Sequence, residues 1–312
     1  MSFDPNSVAY IFPGQGSQSV GMGRELAAAH PVARETFDDA DSLLGFPLSK
    51  LMAEGPADEL NDTVNTQPAL YVHSLAVWRI LSLRLPGLQP AALAGHSLGE
   101  LSALAASRAL TFADGLRLVR TRGQLMKRAG ELAPGGMAAI LNLGIPELEK
   151  VCAEASREGE TVQVANDNCP GQVVISGAKP AVERAMELAK AAGAKRALPL
   201  AVSIAAHSSL MDSIQAEWNA AVDAVPMRDA SAPVYGNVAA RALTSADDLR
   251  ADIRAQMQSR VRWTESAQAI IASGIRHFVE VGNGSVLGGL VKRIDPSVTS
   301  QALGNPSDFE AL

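Results

Sequence analysis

The sequence predicts an α/β protein, a body of alternating strands and helices interrupted by an inserted ferredoxin-like βαββαβ subdomain. Three observations carry this expectation. Short apolar runs alternate with stretches of helical periodicity along the chain. Glycine or proline closes several of those runs, where a strand would turn into the next element. One central segment has a strand–helix–strand–strand–helix–strand order of its own, bounded on both sides by the alternating pattern.

In chain order, residues 8–12 read as a strand that stops at Pro13-Gly14. Residues 67–85 carry apolar side chains at helical spacing, with Pro68 expected near the helix start, where a missing N–H does no harm. Residues 91–94 form a short buried strand that passes through a glycine-bounded turn into a helix over 100–106. Thr111 opens the next helix, with Asp114 three residues on as its capping-box partner. The insert follows: a strand over 137–143, a helix over 146–155, and strands over 161–165 and 172–176 around a turn at 166–171. A helix over 180–192 and a strand over 197–202 complete it. Residues 130–199 are therefore expected to form the small subdomain, and 1–129 with 200–312 the larger body. Near the end a strand over 278–281 breaks at Gly282-Asn283-Gly284 before an apolar helical stretch.

Composition narrows the functional classes. The 312 residues are 47% hydrophobic and 19% charged, an ordinary globular balance. No run of about 18 apolar residues exists, so no membrane span is expected. The opening residues lack a charged leader with a small-residue cleavage site, so no signal peptide is read and a cytoplasmic address is expected. A net charge of −6 argues against nucleic acid, which rewards basic surfaces. Cys152 and Cys169 are too few for a disulfide framework or a metal cluster and read as packing residues.

Gly95-His96-Ser97-Leu98-Gly99 lies between an expected strand and an expected helix, the context a nucleophile elbow requires. Flanking glycines let the backbone cross over tightly, and the Leu98 N–H at the helix start can face a developing oxyanion. The pattern alone is weak, and the ordinary alternative is a strand-to-helix turn; its placement strengthens it. A serine also needs a base, and the chain offers His30, His73, His96, His207 and His277. His96 leaves the elbow in another direction, His30 lies in a polar stretch, and His73 sits amid apolar helical residues as a packing histidine would. His277 precedes a strand and could serve either role. His207 follows the insert, where the chain re-enters the body and a cleft would form, although capping or packing would also place a histidine there.

Gly14-Gln15-Gly16 superficially suggests a dinucleotide loop, but Ser19 stands where the third glycine is required, so the fingerprint fails. Together, Phe12-Pro-Gly-Gln-Gly-Ser-Gln18, Gly95-His-Ser-Leu-Gly-Glu100, Arg122-Gly-Gln-Leu-Met126, His207-Ser-Ser-Leu-Met211 and Glu280-Val-Gly-Asn-Gly-Ser-Val-Leu287 resemble the malonyl-CoA:acyl carrier protein transacylases. The five motifs run in the family's order from Phe12 to about Ile294. The resemblance implies an α/β-hydrolase-like large domain with the ferredoxin-like insert. It implies Ser97 as nucleophile, His207 as base, and the N–H groups of Gln15 and Leu98 as the oxyanion hole. It also implies a carbonyl-type acceptor at Gln256 orienting the histidine, with no metal or bound cofactor. His96, Met126 and Asn166 join the expected substrate-contacting residues; Asn166 either lines the cleft or only makes the insert's turn. The implied partners are malonyl-CoA (with coenzyme A as leaving group) and an acyl carrier protein, and the implied state is a monomer.

Arg122 bears on the cargo. Phe112, Leu116, Val119, Gly123 and Met126 line one helical face, Arg122 falls on its edge, and Arg117, Arg120 and Arg128 point away. A snorkelling side chain or a core ion pair is the bland reading. The sharper one is a guanidinium fork gripping a free carboxylate, which malonyl has and acetyl lacks. Three departures from the family pattern stand out: Ala205-Ala206 before the histidine, Ser259-Arg260 before Trp263, and Asn283 in place of a proline. The small Ala206 would widen the acyl pocket. A hydrolase, a carrier-binding scaffold without catalysis, and service to a polyketide synthase are the rival functions.

Overall fold

The structure is a computed structural model, and it describes residues 4–310. The outermost residues of the expected body segments, 1–3 and 311–312, lie outside the described residues, as does the start of the N-terminal stretch read for a leader.

After a 3-10 turn, β1 (Val8–Phe12) is buried along its whole length, as a strand covered on both faces must be. Helices α1 (Arg24–Ala29), α2 (Pro31–Leu44), α3 (Leu48–Glu54) and α4 (Ala57–Asn61) follow, then the long α5 (Thr63–Arg84). Next come β2 (Ala92–Gly95), α6 (Leu98–Ala106) and α7 (Phe112–Leu132). The insert holds β3 (Gly135–Leu141), α8 (Ile145–Ala155), β4 (Val162–Cys169), β5 (Gln172–Ala178), α9 (Lys179–Ala191) and β6 (Arg196–Pro199). The chain returns through α10 (Asp212–Ala224), β7 (Val234–Tyr235), β8 (Ala242–Leu243), α11 (Ala246–Gln256) and α12 (Trp263–Ala272). It closes with β9 (His277–Val281), α13 (Val286–Ile294) and β10 (Thr299–Leu303).

The large sheet runs β10-β9-β1-β2-β7-β8, parallel except for the last pair. The small sheet runs β4-β5-β3-β6, antiparallel throughout, with α8 and α9 sharing its apolar core. That is the strand order of a ferredoxin-like unit, set into an α/β body as the sequence predicts. Register matters most at β1 and β2, where Phe12 pairs with Gly95. It brings the Pro13-Gly14-Gln15 turn beside the elbow at Ser97. No helix among the described residues is long and apolar enough to cross a membrane.

Four local expectations need correction. The helix expected from residue 67 begins at Thr63, because the Asp62 carboxylate caps the Val64 N–H, and Pro68 lies inside it. The carbonyl of Val64, four residues before that proline, accepts from Arg120 instead at 2.7 Å. Arg120 therefore does not point away but lies across α5 with its guanidinium over the Phe46 ring. The expected turn at 166–171 shrinks to Pro170-Gly171: Asn166 to Cys169 belong to β4, paired with β5 through two bulges. The last strand of the insert stops at Pro199, since the Val202 N–H folds back onto the Leu200 carbonyl.

Candidate active site

Ser97 stands between β2 and α6 with φ 51° and ψ −107°, a strained conformation for a residue with a side chain. Both flanking glycines are sterically required. A Cβ on Gly95 would strike the backbone of Gly99, and one on Gly99 the Phe12 carbonyl of the neighbouring strand. The Ser97 N–H donates to Asn237 Oδ1 at 2.7 Å, and Asn237 Nδ2 donates to the Gly95 carbonyl at 2.7 Å. Asn237 reaches the elbow because β7 pairs parallel with β2 and ends two residues before it. Among the described residues, the N–H groups of Gln15 and Leu98 have no acceptor, and both residues border the cavity at Ser97.

His207 Nε2 lies 2.8 Å from Ser97 Oγ. Its Nδ1 is 2.8 Å from the main-chain carbonyl of Gln256 and 3.2 Å from that of Ser259. Two carbonyls can only accept, so Nδ1 carries the proton and Nε2 is left to accept from the serine. Burial, and then the Arg122 charge, push the imidazole from 6.5 down to about 3, so it is neutral at physiological pH. The expected acceptor at Gln256 is thus its backbone oxygen. Its carboxamide has other partners: Oε1 accepts from Arg122 at 2.9 Å, and Nε2 donates to the Ser97 carbonyl at 2.9 Å and to Glu100 Oε2 at 2.7 Å.

Arg122 sits fully within the buried face of α7, not at its edge. It is only 1% exposed. Its Nη1 donates to Gln67 Oε1 at 2.9 Å, and its Nη2 to Ser97 Oγ at 3.0 Å as well as to Gln256. These partners are two carboxamides and a hydroxyl, and Nε has none among the described residues. Burial lowers the guanidinium to about 10, so it stays charged at neutral pH. A buried cation held by neutral groups is a site awaiting an anion.

These groups open onto a cavity of about 690 Å³ between the body and the insert, bordered by every expected site residue except Gln256. Met126 Sδ accepts from Gln67 Nε2 at 3.2 Å. Asn166 borders the cavity from within β4, so the cleft-lining alternative describes its place. His96 Nε2 pairs with Asn168 at 2.8 Å while its ring leans on Trp263. Ala206 borders the cavity without filling it. His277 lies elsewhere, bonded to Thr299 on β10. Sequence reasoning missed Asn237, Gln67, Asn168 and the Ser259 carbonyl. A polar residue just past a short buried strand, as at Asn237, is the one signal that could have been read. Among the described residues no group of His, Cys, Asp or Glu could hold a metal ion.

Comparison with known proteins points to one family. The acyl transferase domain family matches residues 9–298. The malonyl CoA-acyl carrier protein transacylase of Salmonella typhimurium is 46% identical over 303 residues, 97% of each chain. The solved acyl carrier protein S-malonyltransferase of Vibrio cholerae superposes with a TM-score of 0.94 at 42% identity, covering 98% of this chain and 99% of that one. A malonyl-transacylase solved in complex with a type II polyketide acyl carrier protein gives 0.93 at 41% identity, over 97% of this chain and 98% of the other. The chain belongs to the acyl transferase domain family and, within it, to the malonyl-CoA:acyl carrier protein transacylases.

Proposed function

We propose that the enzyme moves a malonyl group from malonyl-CoA to the phosphopantetheine thiol of an acyl carrier protein through an ester on Ser97. The observation that carries the residue assignments is Arg122: a buried guanidinium without a carboxylate partner, 3.0 Å from the hydroxyl that touches His207. Ser97 Oγ attacks the thioester carbonyl and passes its proton to His207 Nε2. The new oxyanion falls to the Gln15 and Leu98 N–H groups. The thioester C–S bond breaks, and the coenzyme A sulfur leaves with the proton from His207. The carrier's thiol then enters, gives its proton to His207, and attacks the Ser97 ester, returning the proton to Ser97 as it departs.

Arg122 selects the cargo by pairing with the malonyl carboxylate. The same contact cancels the charge that helps hold the imidazole neutral, so the bound substrate raises the basicity of His207. Residues 1–129 and 200–312 supply nucleophile, arginine and base, and 130–199 supply the facing wall with Asn166. Every group named comes from one chain, which suits a monomer, and the two unpaired thiols suit a reducing cytoplasm. Fatty acid synthesis is the pathway served. A polyketide carrier is the second reading, favoured by the relative solved with one.

Intact-mass analysis after exposure to malonyl-CoA tests this. The wild type gains one malonyl increment that a carrier thiol removes, and Ser97→Ala gains none. Steady release of free malonate would indicate a hydrolase, and an increment on Ser97→Ala would overturn the nucleophile.

A further inference from the structure

Glu100 is fully buried on the first turn of α6, one helical turn past the nucleophile. Its Oε2 accepts from Gln256 Nε2 at 2.7 Å and from the Asn237 N–H at 3.3 Å, while its Oε1 has no donor among the described residues. The next two amides of that loop, Val238 and Ala239, donate to the carboxylate of Asp252 at 3.1 and 2.6 Å. Two carboxyl groups thus stand side by side against three successive amides, and among the described residues no cation bonds to either. The proposed function makes Arg122 the receptor for the malonyl carboxylate, and Glu100 is the anion that could neutralise it from within.

We propose that Glu100 works as a neutral carboxylic acid, its Oε1–H donated to Asp252, so that the substrate supplies the counter-charge of Arg122. The orphaned Oε1 then gains a partner, and Oε2 accepts as a carbonyl would. Glu100 acts as a positioning residue: through Gln256 it fixes Arg122 and the Ser97 carbonyl, and through the Asn237 amide it steadies the loop that holds the elbow. The charged groups facing it are Asp252 from α11 and Arg122 from α7. Burial first, then the Asp252 charge, hold its carboxyl well above the ordinary range. Raising the pH far enough to ionise Glu100 would create an internal partner for Arg122 and weaken its preference for malonyl.

The test compares wild type, Glu100→Gln and Glu100→Ala, each checked by thermal melt. Infrared spectra at neutral pH are expected to show a protonated carboxylic C=O band that Glu100→Gln removes. The ratio of malonyl to acetyl loading is expected to fall with rising pH in the wild type and to stay level in Glu100→Gln. The amide reproduces the acid's donor and acceptor, so Glu100→Gln is expected to keep the neutral-pH ratio within about threefold while Glu100→Ala loses about tenfold or more. Absence of the band, an unaltered pH slope in Glu100→Gln, or a neutral-pH ratio as low as that of Glu100→Ala would each overturn the proposal. If Glu100→Ala fails to fold, the band and the pH slope still decide.

Discussion

Ser97 and His207 share an uncommon feature: both hold side chains at positive φ, 51° and 59°. Such conformations cost on the order of 1–3 kcal/mol and persist only where surrounding bonds impose them. Asn237 imposes the first, and the Gln163 amide, donating to the His207 carbonyl at 3.2 Å, helps impose the second. The geometry puts a neutral imidazole against the serine, which has a measurable consequence. Single-turnover acylation by malonyl-CoA should slow about a thousandfold in His207→Ala, the usual scale of lost base catalysis. In the wild type, the free imidazole takes a proton only near 3, so kcat/KM should stay level on the acid side between about pH 8 and 5. A fall centred near 6.5 would show an ordinary histidine instead. At this scale the elbow was legible, because glycines and periodicity mark it. His207 stood out by its place after the insert and then by the family motifs, whereas its acceptors are backbone carbonyls that leave no trace in residue identity.

Elements place these residues, and β1 with β2 do most of it. Their parallel register sets the Gln15 turn beside the elbow, and the close approach of α6 to β1 leaves no room beyond glycine at position 99. Gly99→Ala pushes a methyl group into the Phe12 carbonyl, a rigid neighbour, and should destabilise the fold by about 2–3 kcal/mol. Thermal melting checks that figure, and a variant as stable as the wild type would contradict the packing described. The elements misread in sequence have physical reasons. Pro68 looks like a helix start, yet Asp62 caps the helix earlier and Arg120 takes the carbonyl the proline leaves free. The run from Asn166 to Cys169 has the composition of a turn, yet bulged pairing with β5 keeps it extended and turns Asn166 to the cavity.

At the scale of the whole molecule, layer order and the insert follow from alternation and segment order, whereas the polar network beneath the site does not. Gln67, Gln256 and Glu100 come from three separate helices and Asn237 from a loop, and only folding shows that they meet. Burial of titratable groups also couples the fold to pH. His73 is buried within α5, its Nδ1 lacks a partner among the described residues, and burial lowers it from 6.5 to about 4. The unfolded chain takes that proton first, so this histidine weakens the fold as pH falls from about 6.5 to 4. His73→Leu should therefore gain stability over the wild type as pH falls through that window, by up to about 3 kcal/mol. Parallel melting curves for the two proteins across pH would refute this. Loading rates for malonyl- and acetyl-CoA on Arg122→Ala and Arg122→Lys test most directly whether Arg122 is the receptor for a carboxylate. Losing a charge-assisted bidentate contact worth about 3 kcal/mol should slow malonyl loading by about a hundredfold in Arg122→Ala. Acetyl loading should stay level or rise, and Arg122→Lys should fall between. Equal losses for both acyl groups, with a lowered melting temperature, would make Arg122 a structural residue and contradict the claim.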